Sequence, residues 1–404
     1  MNTTEFKGII ELGNINLRCI ICKINDDDTS TILSSSITRS DGIHNGVVIN
    51  LKAASNAIRS CISTAEERGK VSLKKINVVL EQPEFLCTKL SKHRKINGSK
   101  IYKEDIEFLL KEAKKQVILN DEKQTIVHIF NHNYIVDGKT FIEEPIDVYA
   151  DKLSHEITFV TMPKNYIKNI NQAFIDCDIE IERFISSIFS LGANLLNNNE
   201  LKFGSIIIDI GHEKTSVGIF KNFALVHSAT IPIGNNHAIK DISKVCSLSI
   251  KESKVIISDI DFSFKNYEKL FDKELHLKQI YFSSSNYRKI SKSLILNVIK
   301  ARIEEIFEKI KKQIFIIGPD SIIDSRIFIT GGGSNLINLE EYCTKLFKSK
   351  VVKLIKQESE FNENFASCLG AFKIIKDGWE TEAIPKKDDN LSQKKNFFSK
   401  IFGN

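Results

Sequence analysis

Two stretches of this chain end an apolar run in a carboxylate that is followed by a glycine turn: Glu11-Leu12-Gly13-Asn14 and Asp209-Ile210-Gly211-His212. Glycine lets backbone N–H groups come close to an anion, and successive N–H groups at a turn make an anion-binding concavity. The carboxylate at the end of the preceding strand, Glu11 or Asp209, can hold a divalent cation through water. Two such turns facing each other across a cleft would clamp a polyphosphate. A third stretch, Gly331-Gly332-Gly333-Ser334, lies between a strand and a helix, an arrangement that lets a nucleoside lie flat against backbone. Each motif alone is a common turn, and Asp209 also reads as a plain strand-end carboxylate. It is their order along the chain that points to a nucleotide.

The elements around these turns repeat. Phe6–Leu12, Leu17–Ile24 and Thr29–Arg39 read as a three-stranded meander. The same layout returns at Gly204–Ile210, Thr215–Lys221 and Ala224–Ile233, and such internal duplication says more than any single motif. Helical periodicity predicts helices over 47–68, with Gly69 as C-cap, and over 286–314 and 364–376. A further helix is expected to open at Ser334 or Asn335. Between Pro83 and about residue 160 the pattern changes to a small α+β unit, with one helix near 102–117 and several strands. Residues 377–393 are polar and read as a linker. Residues 394–404 form a separate basic and aromatic segment.

Composition narrows the function. The chain has 404 residues, a net charge of +6, 42% hydrophobic and 27% charged residues, an ordinary globular balance with room for two cores. Its cations are spread among nearly as many acids, which argues against a nucleic-acid binder. No apolar run is long enough to span a bilayer, and Met1–Lys7 lacks a signal-peptide layout, so a cytoplasmic protein is expected. Eight cysteines fit that setting as buried thiols. Cys19 and Cys22 form a CxxC, but on a strand they face opposite sides, and no second pair exists, so core packing is expected. No Cys–His or Ser–His–Asp nucleophile set is evident.

The ordered set is similar to the phosphate 1, phosphate 2 and adenosine motifs of the actin and sugar-kinase superfamily. Within it, the chain resembles the FtsA family of bacterial cell-division proteins. The likeness rests on the α+β insert after the first strand–helix–strand unit, on Ile206–Gly211 with Val226–Gly234, on Ala301–Ile306 before Ile329–Leu336, and on the polar linker leading to a terminal amphipathic segment. It implies an α/β, actin-like fold, a duplicated ribonuclease-H-like two-lobed ATPase. Lobe 1 would hold 1–82 and 163–200 around an insert at 83–162. Lobe 2 would hold 201–236 and 300–376 around a 2B-like subdomain at 237–299. The resemblance implies ATP or ADP with Mg2+ near Gly13, Asn14, Asp209, Gly211, Thr215, Glu305 and Gly331–Ser334, Glu305 touching the ribose. Two departures stand out: His212 and Glu213 replace glycines of the second turn, adding bulk and negative charge where a phosphate would lie, with Lys214 able to offset that charge. Weak binding and little hydrolysis are therefore expected.

The resemblance further implies a scaffold at the division site on the cytoplasmic face of the inner membrane. It would bind the C-terminal tail of FtsZ through 237–299, with Lys240, Lys244 and Lys289 as basic candidates, contact other division proteins and self-associate into actin-like filaments. A PilM-like pilus-assembly protein and a small-molecule kinase of the same fold are the alternatives. The membrane contact is read from the residues: Phe397, Phe398, Ile401 and Phe402 fall on one helical face, flanked by Lys394, Lys395 and Lys400. Such a segment, too short to span, would lie in the interface.

Overall fold

A computed structural model describes residues 5–25, 29–260, 276–316, 326–354 and 364–377. The amphipathic segment at 394–404 and residues 378–393 of the linker lie outside the described residues, as do 261–275 of the 2B-like region. The chain forms two compact units, one of Met1–Gly204, Gly218–Ala229 and Lys356–Asn404, the other of Ser205–Val217 and Thr230–Ile355.

The first unit opens with β1 (Glu5–Leu12), β2 (Asn16–Ile24) and β3 (Ser30–Arg39), antiparallel neighbours in which Ile10 lies opposite Cys19 and Leu17 opposite Thr38. Both faces of this sheet are covered, so Cys19 and Cys22 are buried even though they point opposite ways. Burial lifts the Cys22 thiol to about 12. A hairpin, β4 (Ile43–His44) and β5 (Val47–Val48), turns at Asn45 and Gly46, both with positive φ.

The first helix, α1 (Leu51–Gly69), therefore starts later than the expected residue 47. Its N-cap is Asn50, whose side chain accepts Ala53 N, a cap worth about 1 kcal/mol. Its end also differs from expectation. Lys70, not Gly69, takes the left-handed conformation (φ 52), while Gly69 is helical and a Cβ there would stand 2.8 Å from Ser34 Oγ. β6 (Lys75–Leu80) then pairs parallel to β1.

The insert follows as β7 (Leu86–Lys100), α2 (Lys103–Asn120), β8 (Gln124–Val136), β9 (Lys139–Phe141) and β10 (Tyr149–Pro163), in a sheet ordered β7-β10-β8-β9. The α2 side chains Ile106, Leu109, Ala113 and Val117 bury one face of this sheet in two apolar clusters. Between Leu153 of one cluster and Ile157 of the other, β10 places His155 on the same face. It is fully buried and stacked on Tyr134 with ring centroids 4.3 Å apart.

The first unit is completed by α3 (Lys164–Ile175), β11 (Glu180–Ser186), α4 (Ser187–Leu195) and α5 (Asn198–Phe203). Pro163 stands just ahead of α3, where its fixed φ suits a helix start. The buried Glu81 carboxylate accepts Ser186 Oγ at 2.9 Å and Ile188 N at 3.0 Å, supplying negative charge where α4 leaves N–H groups free.

The second half repeats the plan with β12 (Ser205–Ile210), β13 (Thr215–Lys221) and β14 (Ala224–Ile231), then α6 (Asn235–Val245), α7 (Ile250–Asp259) and α8 (Lys292–Phe315). Helix α8 starts six residues later than expected, capped by the Ser291 hydroxyl on Leu294 N. β15 (Arg326–Thr330), α9 (Leu339–Phe347), β16 (Val351–Lys353) and α10 (Ala366–Asp377) follow. The two five-stranded sheets have matching orders, β11-β6-β1-β2-β3 and β16-β15-β12-β13-β14. Each starts from a meander and continues through parallel neighbours on the far side of its first strand. This is the expected duplicated α/β fold. Helix α10 crosses α4 so closely that a Cβ on Gly370 would lie 1.8 Å from Ser190 O.

Candidate functional site

The second unit holds the turn with the altered glycines. β12 and β13 are joined by Gly211-His212-Glu213-Lys214, closed by Gly211 N donating to Lys214 O at 2.9 Å. The junction between β14 and α6 rests directly on this turn. A Cβ on Gly234 would stand 2.6 Å from Gly211 O, His212 O and Lys214 N, so only glycine fits. The start of a helix leaves N–H groups free and is a ready anion site. Here those groups are spent: Asn235 N donates to Gly211 O (3.0 Å), Asn236 N to His212 O (2.8 Å) and His237 N to Gly234 O (3.0 Å).

The side chains repeat this closure. The Glu213 carboxylate, only 15% exposed, accepts Asn236 Nδ2 at 2.5 Å and lies 3.7 Å from Lys240 Nζ. His212 Nε2 and His237 Nδ1 are 3.7 and 4.0 Å from it. Lys240 of α6, one of the expected partner lysines, is thus a cation beside Glu213. Burial, reinforced by Lys254, Lys240 and His237 and opposed by Glu213, lowers the His212 pKa and favours its neutral form. Thr215 is buried and its hydroxyl donates to Ile233 O at 2.8 Å. A carboxylate, rather than a vacancy for one, sits at the head of α6.

Asp209 and the glycine triplet meet at adjacent strand ends, because β12 and β15 are parallel with Asp209 opposite Thr330. Gly331 has φ +84, and a Cβ there would lie 2.1 Å from Asp209 Oδ1. On Gly333 a Cβ would lie 2.3 Å from Ile210 Cγ2, while Gly332 has nothing within 4 Å. Two of the three glycines therefore serve packing, and Gly332 offers open backbone. Ser334 folds back on Gly331 O through its N–H (3.0 Å) and Oγ (2.7 Å), closing a single 3-10 turn over Gly332–Asn335. The helix expected at Ser334 or Asn335 begins instead at Leu339, after Asn338 takes a left-handed conformation. Glu305 is engaged by Arg302 and lies 3.8 Å from Lys309 Nζ; Arg302 in turn forks onto Asp241 of α6 at 2.7 and 3.1 Å.

In the first unit the other turn is equally self-contained. Glu11 lies opposite Arg18 on β2 and pairs with it at 3.1 Å, both side chains half-buried. Asn14 donates to Asn45 Oδ1 at 2.8 Å and accepts Asn45 N at 2.6 Å, pinning the β4–β5 turn. A Cβ on Gly13 would press within 2.5 Å of Asn16 O. Among the described residues no group of three His, Cys, Asp or Glu side chains could hold a metal. The predicted residues thus form two separate sets, Glu11, Gly13 and Asn14 in one unit and Asp209, Gly211, Thr215 and Gly331–Ser334 in the other, with Glu305 on the nearby α6–α8 network. Gly332 leaves its backbone open, whereas the N–H groups of the second turn and the carboxylates Glu11 and Glu213 already have partners.

Sequence reasoning missed how the region after α6 is fixed. Glu252, 1% exposed, accepts Ser284 N and Ser285 N at 2.8 Å, Ser285 Oγ at 2.6 Å and Ser249 N at 2.8 Å. Burial would raise its pKa, but these hydrogen bonds outweigh that and hold the carboxyl well below the usual range. Ser249-x-x-Glu252 is a capping box that could have been read from sequence; the capture of residues 284–285 could not. Arg288 closes the same region by donating to Ser247 O at 2.7 Å and to Cys246 O. Exposed Ile250, Val255, Ile280 and Tyr287 remain on this surface.

Comparison with known proteins decides the family. Residues 206–370 match the family model "Cell division protein FtsA", and residues 86–161 match "SHS2 domain inserted in FTSA". Together the two span more than half of the chain. The chain belongs to the FtsA family. FtsA of Neisseria meningitidis is 23% identical over 344 residues, covering 85% of this chain and 82% of the relative. FtsA of Buchnera aphidicola subsp. Schizaphis graminum is 26% identical over 350 residues, with 85% and 82% coverage. Among solved structures, a PilM–PilN type IV pilus biogenesis complex aligns with a TM-score of 0.61 at 11% identity, covering 92% of this chain and 98% of that one. MreB 5 of Spiroplasma citri bound to AMPPNP aligns at 0.52 with 15% identity, covering 91% and 96%. Both show the actin-like fold that this FtsA-family chain adopts.

Proposed function

We propose that this FtsA-family protein works as a scaffold that ties FtsZ filaments to the cytoplasmic membrane at the division site, and that nucleotide turnover is no part of that work. The observation that carries the second half is the closed turn over α6: three backbone N–H groups that could meet a phosphate are bonded to backbone carbonyls instead, and the Glu213 carboxylate lies beside them. ATP or ADP with Mg2+ would bind weakly, its nucleoside against Gly332 and its phosphates facing Glu213. The test is nucleotide binding by the purified protein and by a variant carrying His212→Gly and Glu213→Gly. The variant should bind ATP about tenfold more tightly, a change equivalent to about 1.4 kcal/mol. Robust ATPase activity in the parent protein would overturn this reading.

The tether has two ends. The FtsZ tail is assigned to 237–299, where Ile250, Val255 and Ile280 are exposed and so are Lys244 and Lys289, with Lys240 already engaged by Glu213. An acidic and apolar tail would find both kinds of contact there. Phe397, Phe398, Ile401 and Phe402, with Lys394, Lys395 and Lys400, would supply the membrane contact. Each buried apolar side chain contributes at most about 1.5–3 kcal/mol and each lysine near anionic lipid about 1 kcal/mol, less the cost of ordering the helix. One tail would bind reversibly, and an actin-like filament of many tails would hold firmly.

A further inference from the structure

Among the described residues the insert sheet leaves β7 at its edge, with no strand beyond it. Fifteen residues long, it carries Lys89, Lys92, His93, Arg94, Lys95 and Lys100 and no acid. Lysines on an edge commonly serve to block unwanted pairing. The charge arrangement here goes further than that. In the β7–β10 register Lys95 lies directly opposite Lys152, with His93 opposite Ser154 in the next pair but one. Their neighbours Arg94 and Leu153 turn toward α2: Arg94 pairs with Asp105 at 3.2 Å and lies over the Phe108 ring, and Leu153 is buried. Lys95 and Lys152 therefore share the opposite, open face, where both are exposed. Among the described residues neither forms an ion pair, whereas Lys89 farther down the same face is paired with Glu156 at 3.2 Å.

Like charges directly opposed across a ladder destabilise it. Lys152 lies on the central strand β10 and protects no edge, so edge protection does not account for it. An anion over this face, within reach of both long side chains, would relieve their repulsion. The open edge beside them offers backbone N–H and C=O groups that a second strand could take up. We propose that β7 receives an extended acidic peptide as an additional strand, with alternate carboxylates of that peptide reaching Lys95, Lys152 and His93. Side chains of a strand alternate between faces, so the partner is specified as a segment with Asp or Glu at every second position. This surface lies in the insert, and the inference does not depend on the nucleotide or FtsZ readings above.

The test uses the full chain and a blocked octapeptide of alternating Glu and Val, with the Lys–Val octapeptide as control. Backbone hydrogen exchange across residues 86–95 reports strand addition, and titration calorimetry reports affinity. The acidic peptide should bind, protect that segment and weaken with added salt, while the basic peptide should do neither. Lys152→Glu gives Lys95 an opposite-charge neighbour. This variant should be at least as stable as the parent to heat, and should bind the acidic peptide about tenfold less tightly. Equal binding of both peptides, binding without protection of 86–95, or an unchanged affinity in Lys152→Glu would each overturn the proposal. So would protection of 86–95 by anionic phosphatidylglycerol vesicles but not by the acidic peptide, which would make the patch a membrane surface instead.

Discussion

His155 makes the insert sensitive to acid. The ring is fully buried between two apolar clusters, and neither of its nitrogens has a hydrogen-bond partner. Burial pushes its pKa down from 6.5 to about 4. Between these values the unfolded chain binds a proton that the folded chain refuses. The stability contributed by the neutral ring is therefore complete above about pH 6.5 and is lost as the pH falls toward 4. At pH 5 the loss works out at about 2 kcal/mol from this residue alone. His155→Phe keeps a ring to stack on Tyr134 and removes the titration. It also removes two buried, unpaired nitrogens, so the variant should be equal to the parent or more stable at neutral pH. Urea unfolding followed at pH 7 and pH 5 measures both effects. The parent should lose about 2 kcal/mol more than His155→Phe across that interval. A residual loss is expected in both proteins, because burial also lowers the pKa of His128, whose Nε2 accepts Ser186 N. If the two proteins lose the same amount, His155 is protonated or partnered in the folded state and the reasoning fails.

Other outcomes follow from close contacts. Gly370→Ala should lower stability by about 2 kcal/mol or more, because its Cβ would meet the Ser190 carbonyl across the α4–α10 crossing; thermal unfolding checks this. Glu252→Ala should cost about 3 kcal/mol by leaving Ser284 N and Ser285 N unpaired, and limited proteolysis should then cut near residues 282–288. Gly331→Ala should disturb Asp209 and the 3-10 turn together, abolishing whatever nucleotide binding the parent shows while leaving membrane binding intact. A cognate FtsZ tail peptide should bind the parent and lose affinity when Ile250 and Val255 are both changed to Glu.

The duplicated plan was legible because its signals are local: a meander with a glycine turn is written in consecutive residues, and it occurs twice. The insert was legible from the change of pattern at Pro83. Errors fell where long-range packing chose between local options. Val47 and Val48 fit a helical face, but Gly42 and Gly46 take positive φ and make residues 43–48 a hairpin. Gly69 looked like a C-cap, yet Lys70 adopts the left-handed conformation while Gly69 faces Ser34. At the site, the glycines and carboxylates could be picked out from consecutive residues, but nothing in the sequence marked their partners. Arg18 opposite Glu11 follows from hairpin register, Asn45 on Asn14 from a contact thirty-one residues away, and the capping of α6 by turn carbonyls from the meeting of two distant segments. Glu213 was visible as an odd charge, whereas its contact with Lys240 of the following helix was not.

The tether itself can be measured in one experiment. FtsZ filaments, anionic vesicles and this protein are mixed and the vesicles floated through a density gradient, with and without ATP. FtsZ should float with the vesicles only when the protein is present, ATP should change the recovered amount little, and deletion of residues 392–404 should return both proteins to the bottom of the gradient. FtsZ left at the bottom while the intact protein floats, or full recovery with the deletion variant, would contradict the tether.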